Sequence, residues 1–115
     1  MSDSIIVEYD RTRRMIYTVT AFMDYENISK KSLLSALRDL EEEALSFLDT
    51  VYLLWAGLKT DDEKITVKEC ADILENILSK EKKTLVDVWS NIFEGITKSG
   101  ALKSFVPKGT EKKST

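Results

Sequence analysis

Apolar residues along this chain recur mostly at helical spacing, and the exception stands near its start. Ile5, Ile6, Val7 and Tyr9 form a run of β-formers that stops at Asp10, which predicts a short strand or hairpin arm. Met15, Ile16 and Tyr17 are open to two readings, a second strand or the beginning of a helix. The favoured one ends a strand near Tyr17 and starts a helix at about Thr18, entered through a hydroxyl cap with threonines at 18 and 20, which puts Val19, Phe22 and Met23 on one face. The polar stretch from Asn27 to Lys31 predicts a turn, after which Ser32 caps a short helix carrying Leu33, Leu34 and Leu37.

The strongest periodicity follows. Leu40, Ala44, Leu48, Val51, Tyr52, Trp55 and Leu58 share one helical stripe that Phe47 and Leu54 widen, so a single long helix ending around Lys59 is predicted. Glu41, Glu42 and Glu43 then fall in its first turn, where they complement the positive end of the helix dipole. A charged loop from Thr60 to Lys64 leads to Thr66-Val67-Lys68-Glu69, the pattern of a capping box. The helix it opens has Val67, Cys70, Ala71, Leu74, Ile77 and Leu78 on its apolar face and Lys68, Glu69, Asp72 and Glu75 opposite. A lysine-rich turn, Lys80 to Lys83, ends it. Thr84 with Asp87 caps the last helix, whose stripe is Leu85, Val88, Trp89, Ile92, Phe93 and Ile96 and whose stop signal is Gly100. Pro107 blocks regular structure, and 107–115 reads as a disordered polar tail. The expected fold class is mainly α, a small helical bundle of about four to five helices with a short N-terminal β strand or hairpin arm, in one domain spanning 1–106.

Composition narrows the functional classes. A chain of 115 residues, 43% hydrophobic, suits one core. Its charged residues nearly cancel, to -3, so no overall field draws it to nucleic acid or a membrane. The amino terminus lacks the basic start and long apolar run of a signal peptide, and the longest apolar run, Val51 to Leu58, falls far short of the roughly 20 residues that span a bilayer. A lone cysteine, Cys70, fits a reducing compartment, and a cytoplasmic protein is expected.

The same inventory argues against catalysis. No histidine is present to serve as a general base or metal ligand. Cys70 lies on an apolar helix face without an activating partner, which makes it a buried structural thiol. Glu41 to Glu43 diverge around a helix axis, and Asp61, Asp62 and Glu63 lack the glycine and distant glutamate of a calcium loop. Gly57, Gly95, Gly100 and Gly109 are isolated, so no phosphate loop exists. No enzyme activity, cofactor or metal is expected. Arg11, Arg13 and Arg14 beside Tyr9 and Tyr17 could contact nucleic acid, but a solvated strand edge is the stronger reading. Trp55 and Trp89 sit within apolar stripes and read as core before interface anchors.

Three segments carry a resemblance. YTVTAFMDYENISKKSLL has an aromatic and a capping residue, then Ala21, an apolar pair, Glu26 and a polar turn into Ser32-Leu33-Leu34. VYLLWAGLKTDDEKITVKECADIL ends an apolar helix in Trp55-Ala56-Gly57-Leu58 and opens the next at Thr66 with Glu69, and LVDVWSNIFEGITKSGAL closes the pattern. From Val7 to Leu102 the chain resembles the tail assembly chaperones of long-tailed bacteriophages and prophages, small proteins encoded just ahead of the tape measure protein. One departure is Lys30, where the turn before Ser32 would carry glycine; a lysine adopts a left-handed backbone there only at a cost.

The resemblance implies a protein that binds the tape measure protein in the host bacterial cytoplasm, keeps it soluble while subunits of the major tail tube protein polymerise around it, and is absent from the mature virion. It implies a short form, with a longer form of the same protein made by frameshifting near Lys112-Lys113, and an overlapping frame and a very long open frame beyond. A homo-oligomer is left open, and no membrane partner is implied. The expected contact surface comprises Ile5, Val7 and Tyr9 of the arm with Leu102, Phe105 and Val106, because these apolar residues lie outside the strongest helical stripes. Two rivals remain: a small helical regulator that binds protein or nucleic acid, and a phage connector or completion protein.

Overall fold

The computed structural model describes residues 4–103, and in it the alternating start of the chain closes into a hairpin. Strand β1, Ser4–Glu8, pairs antiparallel with β2, Thr12–Ile16, with Ile5 opposite Met15 and Val7 opposite Arg13. Period-two alternation puts Ile5, Val7 and Met15 on one side, where all three are buried, and leaves Ile6 and Arg14 facing out. The hairpin is therefore a wall of the core and not a free arm.

Helix α1, Val19–Ser29, starts at Thr18, whose hydroxyl accepts the Ala21 N–H at 3.1 Å. Its buried face is Ala21, Phe22 and Tyr25; Val19 and Met23, expected on that face, are 59% and 61% exposed. Lys30 ends it in the left-handed conformation, φ 62°, at the position where the resemblance expects glycine. Glu26 then accepts the Leu33 N–H at 2.8 Å, and Ser32 caps α2, Leu33–Glu41. Leu33, Ala36 and Leu40 are buried, whereas Leu34 is exposed.

The long helix predicted through Leu40 and Leu58 is two helices. α2 ends at Glu41; the Glu43 N–H donates to the Leu40 carbonyl and the Ala44 N–H to the Asp39 carbonyl, a Schellman closure with Glu43 left-handed at φ 54°. Glu41 to Glu43 thus lie at the negative end of a helix dipole, the reverse of the expected placement. Ser46 caps a new helix, α3, Phe47–Leu58, and Ala44, Phe47 and Leu48 are exposed because the break turns them out of the stripe.

α3 is the centre of the molecule, with Leu53, Leu54, Ala56 and Gly57 all buried and with α1, α4, α5 and β2 packed around it. α4, Val67–Ser79, and α5, Leu85–Thr97, both open with the expected capping boxes, Thr66 with Glu69 and Thr84 with Asp87. Ala71 is exposed and Ile73 takes its expected place in the core. α5 stops at Thr97, with Lys98 as its cap; Gly100 begins the single turn α6, Gly100–Lys103, instead of ending a helix. The result is a small, mainly α fold with an N-terminal hairpin, and its core runs from Ile5 to Ile96.

Two glycines set how closely the hairpin approaches this core. A Cβ on Gly57 of α3 would lie 2.6 Å from Cζ of Tyr17, and one on Gly95 of α5 would lie 3.1 Å from its Cε2. Tyr17 is thereby held between the two helices, its hydroxyl donating to the Leu53 carbonyl at 2.6 Å and its ring stacked on Phe22 at 5.8 Å.

Candidate functional site

The N-terminal half of the expected contact surface is not open. Ile5, Val7 and Tyr9 are 7%, 3% and 4% exposed, because the pleat of β1 turns Ile5 and Val7 onto the core and Tyr9, just beyond the strand, follows them toward α5. The Tyr9 hydroxyl donates to Oδ1 of Asn91 at 2.8 Å, and burial holds its phenol well above the ordinary tyrosine range. Leu102 lies in α6; its side chain, with Phe105, Val106 and 107–115, lies outside the described residues.

Single apolar side chains such as Met23, Phe47 and Leu48 are exposed elsewhere, and an apolar groove of about 310 Å³ opens between the end of α2 and the outer face of α5. Leu40 and Trp89 are buried at its base, while Val86 and Phe93 border it at 45% and 38% exposure. Trp89 is fixed from beneath, its indole N–H donating to Thr50 Oγ1 at 2.9 Å, and Thr50 in turn donates to the Ser46 carbonyl at 2.7 Å. The groove base is therefore anchored to the first turn of α3. Val86, Trp89 and Phe93 follow one another at the three-and-four spacing of a helical seam. Core burial of α5 runs instead through Val88, Trp89, Ile92 and Ile96, so α5 carries two apolar stripes that meet at Trp89.

The rim is acidic. Glu41 and Glu43 come from the α2 terminus and Glu94 from α5, and no basic residue lines the groove. Glu94 meets Lys98 only at 3.9 Å, while Glu41 and Glu43 have no ion pair among the described residues. The closing carbonyls of α2 add to the negative potential at the same place. Sequence reasoning passed over this site because Phe93 completed a core stripe and Glu41 to Glu43 stood in the wrong turn of a helix. The usable signal was the excess of apolar positions between Leu85 and Ile96, more than one buried face accommodates.

The remaining candidate chemistry is structural. Cys70 is fully buried, and burial above all pushes its thiol up to about 12, far from a reactive thiolate. Arg13 is held by Asp10 at 2.7 Å and Asp62 at 3.2 Å, and Arg11 reaches Asp62 at 3.5 Å. Two of the three arginines are thus matched by carboxylates, while Arg14, exposed like Arg11, has no ion pair among the described residues. Asp49, buried in the first turn of α3, pairs with Lys31 at 2.7 Å and ties the α1–α2 turn to α3. Trp55 and Trp89 both pack against the core. Among the described residues no cluster could hold a metal ion, and no helix is long and apolar enough to cross a membrane. No protein-family model, curated protein or solved structure matches the chain.

Proposed function

We propose that this chain is a tail assembly chaperone of the kind found in long-tailed bacteriophages, acting by binding and not by catalysis. It holds a helical, apolar segment of the tape measure protein in the host bacterial cytoplasm and keeps it soluble while tail tube subunits assemble. The observation that carries this reading is the α2–α5 groove: apolar at its base, open along a helical seam, and anchored beneath by Trp89 and Thr50. A rigid groove of this kind receives a partner's amphipathic helix by burial alone, at about 25 cal/mol per Å² of apolar surface removed from water. The resemblance from Val7 to Leu102 supplies the partner's name.

The test is coexpression with the tape measure protein encoded beside it. This chain is expected to raise the soluble fraction of that partner and to copurify with it. An unchanged soluble fraction with no complex overturns the reading. In the DNA, a slippery site near the codons for Lys112-Lys113 with an overlapping frame beyond it is the accompanying expectation.

A further inference from the structure

We infer that the α2–α5 groove selects one chemical type of occupant: an amphipathic helix whose apolar stripe is edged by lysine or arginine. The inference rests on the chaperone reading and specifies which segments of a partner the groove takes.

Three observations carry it. The seam Val86, Trp89, Phe93 extends two helical turns, about 10 Å at 1.5 Å per residue, which matches a stripe repeating at three- and four-residue steps on a facing helix. The groove is open along its side, with Val86 and Phe93 still 45% and 38% exposed, so it does not enclose a small molecule. Its charged rim has a single sign, Glu41 and Glu43 on one edge and Glu94 on the other. A helix with acidic edges would set carboxylate against carboxylate beside an apolar base, where water screens repulsion poorly. A lysine or arginine at the same place also meets the negative end of α2 and lays its aliphatic stem on Phe93 or Val86.

The experiment titrates the full chain with two synthetic helical peptides that share leucines at the seam positions and differ only at the edges, lysine in one and glutamate in the other. Binding is read from tryptophan fluorescence. The lysine peptide is expected to bind at least about tenfold more tightly, with an affinity that falls as salt rises from about 50 to about 500 mM. The triple charge reversal E41K/E43K/E94K is expected to invert the preference, whereas Glu75→Lys on the outer face of α4 leaves it unchanged. Val86→Asp with Phe93→Asp is expected to abolish binding while circular dichroism stays that of the parent.

Equal binding of the two peptides, or an E75K effect as large as the triple reversal, overturns the inference. So does dimerisation of the chain alone that Val86→Asp with Phe93→Asp abolishes, which would make a second copy the occupant. A tenfold gain in peptide affinity on Phe105→Asp with Val106→Asp would assign the groove to the chain's own following segment, and overturns it too. If V86D/F93D leaves tape measure solubility intact in coexpression, the groove inference fails and the chaperone reading stands. If the lysine peptide binds as expected and the tape measure protein is not solubilised, the chaperone reading fails alone.

Discussion

Gly57 and Gly95 stand in the last turns of α3 and α5, where glycine, which costs up to about 1 kcal/mol relative to alanine in a helix interior, still weakens a helix. Their positions are explained by Tyr17, whose ring occupies the space that a side chain would fill. Gly57→Ala brings a Cβ to 2.6 Å from that ring, so it is expected to destabilise the fold by about 1 to 2 kcal/mol, overpacking less the gain in helix propensity. Gly95→Ala, at 3.1 Å, asks for a smaller shift and is expected to lower the urea midpoint less than Gly57→Ala does. Conversely, three residues with side chains occupy left-handed positions that suit glycine: Lys30, Glu43 and Glu81. Glu81→Gly, at the end of α4 and away from the groove, is expected to stabilise by about 0.5 to 1 kcal/mol in the same urea measurement. Lys30 was legible only through the resemblance, which expects glycine in the turn before Ser32. Glu43 was not, because a glutamate gives no sign of a left-handed backbone.

Most helix starts were legible, and so were the ends of α3 near Lys59 and of α4 at Lys80, whereas the end of α2 was not. Thr18, Ser32, Thr66 and Thr84 each cap the helix that the pattern assigns to them, since a hydroxyl before an apolar stripe meets the backbone N–H groups that a helix leaves unpaired. Ser46 does the same for α3 but lay hidden within a stripe that appeared to run on from Leu40. The break between α2 and α3 preserves helical phase closely enough to mimic one helix, yet its Schellman hydrogen bonds close the first and the Ser46 cap opens the second. Ser46→Ala is expected to cost about 1 kcal/mol, measured by urea unfolding, through the lost bond to the Asp49 N–H at 3.0 Å. Because the Ser46 carbonyl also accepts from Thr50, which accepts from Trp89, the same substitution is expected to alter Trp89 fluorescence at the groove base.

At the scale of the whole molecule, stability should be flat between about pH 5 and about pH 9, because no histidine titrates in that window. On the acid side, the Thr84 backbone N–H and hydroxyl hold Asp87 below its ordinary range, and Arg13 does the same for Asp10. Their contributions are present above the ordinary carboxylate value of 3.8 and are lost as pH falls below it. On the alkaline side, burial raises Tyr9 and Tyr17 above the ordinary 10.0 and, with the Asp49 charge, pushes Tyr25 up to about 12 against a lowering by Ser29. That contribution is complete below pH 10 and is lost progressively above it, so urea midpoints are expected to fall as pH rises beyond 10. Fold class was legible at this scale because periodicity reports which positions are buried. The groove was not, because it depends on which elements meet: α2 and α5 are far apart in sequence, and nothing local in either marks the other. The Tyr9–Asn91 hydrogen bond joins positions 82 apart, and the groove likewise needs α5 beside α2. On the ribosome, then, a chain that has emerged only as far as α4 possesses neither a closed core beneath its hairpin nor a seam to offer, so binding competence arrives late in synthesis and all at once.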